Sequence, residues 1–323
     1  MSNNISVIST ILNEEKSIES LIQSLLNQSI QPDEIIIVDG GSTDRTCEIL
    51  EKLSQKNKRL KVIIDPTCSL KYSNGPIARG RNIAIKNSNN SIIVCADAGC
   101  VYKNDWLDEI TTPLKEFDFS FGGACVEEKN ITSWDFAAAP FLGFDLATKN
   151  MHRSPTGTAR SLGFHKYVWD ESGGFPETSL LGEDTEFFIK INEKFKGYFA
   201  DKAPAYYKPD YDCFSAMTRL ARYAQSDGMK FITKKRILFM LCRIFIFIFA
   251  LMNIHNTFIP ILFYFLLEII LAFRFDVRSF RYLKYLKIIP LRLFFSMCVP
   301  WIFSINYLTG FLLKKNQLNE QNL

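Results

Sequence analysis

The chain has 323 residues, 47% of them hydrophobic and 14% aromatic, with a formal net charge of +4 and eight cysteines. So small a charge excess leaves no footprint for nucleic acid, and cysteines without CxxC pairs or histidines at ligand spacing argue against a zinc site and a disulfide framework. The 28 phenylalanines crowd the last third, so a soluble part precedes a greasy one.

The opening stretch, MSNNISVISTILNEE, has no basic leader and reads as a strand rather than a signal peptide, which predicts a cytosolic body with reduced thiols. Short β-branched runs follow at 5–11, 34–38, 60–64 and 91–96, separated by segments of helical period. That alternation predicts an α/β fold, a mostly parallel sheet covered on both faces. Ile18, Leu21, Ile22, Leu25 and Leu26 form one apolar stripe, and Ser42 is expected to cap a helix whose Ile49, Leu50 and Leu53 face inward. Residues 101–230 are mixed, with helices expected around 106–114 and 183–193. With no linker in between, 1–230 reads as one catalytic domain and 231–323 as a membrane region.

Three apolar segments, 237–254, 257–273 and 289–313, have about the length needed to cross a membrane, although Arg243, Glu268 and Arg292 interrupt them. Basic residues before the first segment and between the second and third mark the cytoplasmic side. The third either crosses once or bends back at Pro300. The expectation is a multi-pass protein of the cell membrane, with lipids as partners and the catalytic part in the cytosol.

Four stretches lie at the C-terminal ends of predicted strands or just beyond, where open α/β sheets bind ligands. In TILNEE, Thr10, Asn13 and Glu14 can meet a nucleobase, and an ordinary helix cap explains them equally well. VDGGSTD puts Asp39 at the exit of a wholly apolar strand and favours ligand binding. Arg79 and Arg81, on a helix leading into the Asp97 strand, can neutralise phosphate, given that Asp39 and Asp97 are expected to end neighbouring strands. In GEDTEF, Glu183 and Asp184 open an apolar helix, where acids also suit the helix dipole.

Taken in order, SVISTILNEEKSI, EIIIVDGGSTDRT, GRN, ADAGC, GFP and GEDTEF resemble the family-2 glycosyltransferases, nucleotide-sugar enzymes of A-type, Rossmann-like fold, over about residues 5–230. The resemblance implies that Thr10, Asn13, Glu14 and Asp39 hold the base and ribose and that Arg81 lies near the diphosphate. Asp97 matches the first acid of the family's Asp-x-Asp motif, and Asp184 matches the general base. Gly99 stands where the second, metal-binding acid usually sits. Mg²⁺ or Mn²⁺ held by Asp97 alone, or leaving-group charge carried by Arg79 and Arg81, are both open. Arg219 and Arg222, with Tyr223, look like a diverged Gln-x-x-Arg-Trp element that positions donor and acceptor. His152, His165 and His255 have no partner pattern and read as structural or surface residues.

The expectation is an inverting transferase moving a sugar from a nucleoside diphosphate to a hydroxyl of a glycan or lipid-linked precursor, since one base and no evident nucleophile fit a single displacement. A nucleotidyltransferase needs a glycine-rich phosphate loop after strand one, and a dinucleotide enzyme needs GxGxxG; neither is present. A catalytically silent carbohydrate-binding or scaffold protein of the same fold is the remaining rival.

Overall fold

The computed structural model describes residues 4–126, 145–146, 157–178, 181–207, 213–230, 234–252, 259–273 and 289–321. They fall into two compact units, one ending at about residue 209 and the other built from the C-terminal helices.

The N-terminal unit is organised by four apolar strands, β1 (Ile5–Ile11), β2 (Glu34–Asp39), β3 (Leu60–Ile64) and β4 (Ile92–Cys95). Their mates complete two sheets: β5 (Cys100–Val101), β6 (Phe119–Phe121), β7 (Ala124–Val126), β8 (Asp145–Leu146), β9 (Leu162–His165), β10 (Gly197–Phe199) and β11 (Ala205–Tyr207). The larger sheet has the order β10-β6-β9-β4-β1-β2-β3, and the smaller β5-β11-β7-β8. Pairing in the larger is parallel except at β9, which runs antiparallel to both β4 and β6. The α/β expectation therefore holds. One expectation fails: β1 lies between β4 and β2, so Asp39 and Asp97 do not end neighbouring strands.

The covering helices are α1 (Ile18–Leu26), α2 (Thr46–Lys56), α3 (Pro76–Lys86), α4 (Trp106–Thr111), α5 (Lys166–Ser172) and α6 (Glu183–Lys194). On α1 the predicted stripe is buried at Ile18, Leu21, Ile22 and Leu25. Helix α2 starts later than Ser42 implies: Arg45 stands at its N-cap without a side-chain bond, because the Ser42 hydroxyl turns back to Asp39. Close packing of α3 on β1 depends on Gly80, since a Cβ there would lie 2.1 Å from Thr10 Oγ1.

The C-terminal unit holds α7 (Cys213–Lys230), α8 (Lys234–Met252), α9 (Ile259–Phe273) and α10 (Ile289–Gln321). Helix α7, expected with the catalytic part, belongs to this unit and packs along α10. Gly228 and Gly310 make that approach possible, because a Cβ on either would collide with the backbone of Tyr307 or Gln225. The chain does not turn at Pro300; α10 continues through it.

Among the described residues one helix, Leu293–Leu313, is long and apolar enough to cross a membrane. The multi-pass expectation is not supported. Helix α9 has only 15 described residues, about 22 Å at 1.5 Å per residue, and α8 carries Arg243 at its middle.

Candidate active site

Two loops leave the parallel strands and lock onto each other. Asp39 is wholly buried, and its Oδ1 accepts from the amides of Gly41 at 2.8 Å and Ser42 at 2.7 Å, while Oδ2 accepts from the Ser42 hydroxyl at 2.7 Å. The acid at the strand exit thus builds its own turn. Across the gap, the Asn13 amide donates to Ser42 Oγ and the Thr43 amide to Asn13 Oδ1, both at 2.8 Å. Asn13 adopts φ 56°, a left-handed conformation that asparagine tolerates. The Glu14 amide donates to Thr46 Oγ1 at 2.8 Å, and its carboxylate takes the Ser17 hydroxyl. Glu15 and Asp44 add reciprocal bonds to the amides of Arg45 and Glu15. Thr10, half-buried on β1, faces α3.

Arg79 and Arg81 are two positions apart on α3, so they point to nearly opposite sides of it. Arg79 Nε donates to Thr67 Oγ1 at 2.9 Å, and its terminal nitrogen reaches Glu177 at 3.3 Å. The Arg81 side chain is only 3% exposed and bridges Asp97 Oδ1 at 2.9 Å and Glu183 Oε1 at 2.5 Å. Its Nε has no hydrogen-bond partner, and the guanidinium lies 5.5 Å from the centre of the Phe175 ring. Asn82, next to it, ties down the Gly-Phe-Pro-Glu turn through Phe175 O and Glu177 Oε1, each at 2.9 Å.

This arrangement joins Arg81, Asp97, Glu183 and Asp184. Asp184 Oδ2 accepts from Thr158 Oγ1 at 3.1 Å and from the Ala159 amide at 3.3 Å, and Oδ1 accepts from the Thr185 amide at 2.8 Å. Burial works to raise its pKa, but the Arg81 and Arg160 guanidiniums and the two amides outweigh burial and hold the carboxyl below the ordinary aspartate range. Glu183 goes the other way: burial pushes it up, against Arg81 and with help from the neighbouring Asp184 charge. Beneath them, burial pushes the Cys95 thiol up to about 12, which leaves it protonated and inert.

Arg160 completes the cluster and was not foreseen. Its Nε lies 3.8 Å from Asp97 Oδ2, and its carbonyl accepts from the Tyr102 hydroxyl at 2.8 Å. The same hydroxyl accepts from the Asp97 amide at 2.9 Å. In the sequence PTGTARSLGF nothing around Arg160 advertises a charge partner; the one readable sign is that it precedes an apolar strand.

Gly99 has φ +73°, a conformation that side chains adopt at a cost, and a Cβ there would lie 3.2 Å from the Tyr207 ring. The turn after Asp97 is therefore shaped for glycine. Among the described residues no three His, Cys, Asp or Glu side chains group to hold a metal. Asp97 is 26% exposed, and its Oδ2 lies beyond hydrogen-bonding distance of Arg160. The residues fit a cation that arrives on a diphosphate and takes one carboxylate, and they do not fit one held by the protein alone.

Arg219 and Arg222 lie on α7 in the other unit. Arg219 Nε donates to the Tyr223 hydroxyl at 3.1 Å, and Arg222 is exposed. His165 Nε2 lies 2.8 Å from Leu114 O, and its ring stacks on Tyr167, a structural role. His152 and His255 lie outside the described residues.

A parallel sheet whose C-terminal ends carry interlocked loops and a cluster of carboxylates and guanidiniums defines an α/β protein of the glycosyltransferase A-type. Residues 6–158 match the Glycosyl transferase family 2 model, and this part of the chain belongs to that family. A protein of Haemophilus influenzae described as an uncharacterized glycosyltransferase is 36% identical over 105 residues, 32% of this chain and 40% of its own. The putative teichuronic acid biosynthesis glycosyltransferase TuaG of Bacillus subtilis is 32% identical over 150 residues, 45% of this chain and 57% of its own. The matched stretches span 33–46% of the length of other curated relatives of this kind. In fold, the chain is similar to mannosyltransferase PcManGT of Pyrobaculum calidifontis, solved with GDP-Man and Mn²⁺, with TM-score 0.53 and 18% identity over 71% of this chain and 63% of that one.

Proposed function

We propose that the chain is an inverting glycosyltransferase that moves a sugar from a nucleoside diphosphate donor to a hydroxyl of a cell-surface or lipid-linked glycan precursor. The observation that carries this reading is the cluster joining Asp97, Arg81, Glu183, Asp184 and Arg160 at the ligand-binding end of the sheet. Similarity to TuaG supports an acceptor in polysaccharide assembly.

In this mechanism the interlocked loops at Asn13, Glu14 and Asp39, with Thr10 behind them, receive the base and ribose. Asp184 is ionised at neutral pH and takes the proton of the acceptor hydroxyl as that oxygen bonds to the sugar's anomeric carbon. The bond from that carbon to the diphosphate breaks on the opposite side, and the nucleoside diphosphate leaves with its electron pair. One displacement inverts the anomeric centre. Glu183, clasped by Arg81, fixes the start of α6 and so the position of Asp184. Asp97 would hold Mg²⁺ or Mn²⁺, which supplies positive charge to the phosphates when bound.

Membrane association through Leu293–Leu313 belongs to the same proposal, with the N-terminal unit on the cytoplasmic face. The test is release of nucleoside diphosphate from a panel of nucleotide sugars by the purified full chain, with a mixture of lipid-linked and soluble glycans. Acceptor-dependent release from one donor supports the transferase. Binding of glycans without release from any donor favours the silent carbohydrate-binding protein.

A further inference from the structure

Asp97 and Asp184 come from distant parts of the chain, and one short turn ties them together. Residues 158–161, just before β9, close on themselves: the Ser161 amide donates to Thr158 O at 3.1 Å, and an Arg160 terminal nitrogen donates back to Thr158 Oγ1 at 3.3 Å. The leading end of this turn grips Asp184, through the Thr158 hydroxyl at 3.1 Å and the Ala159 amide at 3.3 Å. The trailing end is gripped by other elements. Arg160 O accepts from the Tyr102 hydroxyl at 2.8 Å, and Ser161 Oγ accepts from Trp106 Nε1 at 2.9 Å and donates to Ala203 O at 2.7 Å.

Tyr102 stands where the two acids are coupled. Its hydroxyl gives its one proton to Arg160 O, and the same oxygen takes the Asp97 amide at 2.9 Å. The side chain is buried and packs on the wholly buried Trp106, with ring centres 4.0 Å apart. A phenol held in this way fixes the main chain at Asp97 relative to the turn that holds Asp184. In a single displacement the donor beside Asp97 and the base at Asp184 must meet at one anomeric carbon, and a misplacement of about 1 Å can cost on the order of 100-fold in rate. We propose that Tyr102 is a positioning residue for transfer: through the turn at 158–161 it sets the separation of Asp97 on the donor side from the base Asp184. This rests on the glycosyltransferase reading above.

The test is steady-state transfer by the full-length chain in detergent from the donor that the panel above identifies, with calorimetric titration by its nucleoside diphosphate and thermal unfolding alongside. Tyr102→Phe keeps the ring and its packing and removes only the hydroxyl. It is expected to lower kcat roughly 10- to 100-fold, to leave donor KM and diphosphate affinity within about threefold of wild type, and to lower the melting temperature by about 2–4 °C. Thr158→Val breaks the other end of the same strut, so the double variant should be no more than about threefold slower than the slower single variant. A kcat of Tyr102→Phe within twofold of wild type overturns the proposal. So does a parallel loss of kcat and diphosphate affinity, which would make Tyr102 a support of the fold. Losses that multiply in the double variant overturn it too, because the two hydroxyls would then act by separate routes. If the wild-type chain releases diphosphate from no donor of the panel, the transferase reading itself fails and takes this proposal with it.

Discussion

In the N-terminal unit the side chains of β1, β2 and β4 are packed inside, and the Arg81 cluster gathers Asp97, Glu183 and Asp184 at one end of the sheet. The C-terminal unit is arranged the other way. Among its described residues Arg243 and Glu268 are a buried charged pair, joined by Nε to Oε1 at 3.1 Å and held by Ser296, whose hydroxyl donates to Glu268 at 2.7 Å. Phe245, Ile259 and Leu262, each at least 70% exposed, face outward. The two arginines therefore do different work. Arg81 is embedded in a cluster that holds more carboxylates than guanidiniums, whereas Arg243 is matched to one acid and one serine.

The contrast is broken most sharply at Asp184. Asp184→Asn should lower turnover about 10²–10⁴-fold with donor affinity within a few-fold of wild type, measured by steady-state transfer and by calorimetry. Near-normal transfer would move the base elsewhere, with Glu183 first in line.

Stability separates the two arginines next. Arg81→Met and Arg243→Met should each cost about 3–5 kcal/mol, because each leaves a buried carboxylate without its partner. Replacing both partners distinguishes them. Arg243→Met with Glu268→Leu should recover most of the loss, while Arg81→Met with Glu183→Leu should not, since Asp97 and Asp184 still lack their cation. Thermal unfolding of the four variants in one detergent checks this, and equal recovery in both pairs would show that the clusters are equivalent.

The pH profile follows from Asp184. Its folded pKa is depressed, so the carboxylate form is present above its ordinary value, and both its stabilising contribution and its basicity are lost as pH falls through the lowered value. The acid limb of kcat/KM should accordingly lie below the ordinary aspartate range and vanish in Asp184→Asn. An acid limb well above that range would point to Glu183, whose pKa is raised.

The smallest expected effect is at Gly99. Gly99→Asp should cost about 1 kcal/mol through the left-handed backbone, seen as a few degrees in the melting temperature. If it also strengthens Mn²⁺-dependent diphosphate binding, the missing acid is what limits metal retention here.

Much of this was legible because β2 is buried along its whole length and reads as an apolar run, and β1 and β3 as short runs rich in β-branched residues. The bounds of β1 and β3 fall where the runs begin and end. Strand order was not legible, because chain order does not reveal that the first strand becomes a central one; hence Asp39 and Asp97 looked like neighbours. The smaller sheet escaped notice because its strands are only two or three residues long. At Asp39 the sequence shows an acid at a strand exit, but not that the acid also builds the turn after it. Arg160 and Tyr102 act across 58 residues of chain, a distance at which spacing says nothing.

The clasp between the Asn13–Glu15 and Ser42–Thr46 loops bears on how fast a ligand can be taken up. Fixing one backbone residue costs on the order of 1–2 kcal/mol in lost conformational freedom, and here that ordering is complete before anything arrives. A nucleoside meeting this clasp would wait for neither of these two loops. Its observed association rate should then rise linearly with concentration in a single phase, limited by encounter and orientation and not by a rearrangement of the chain.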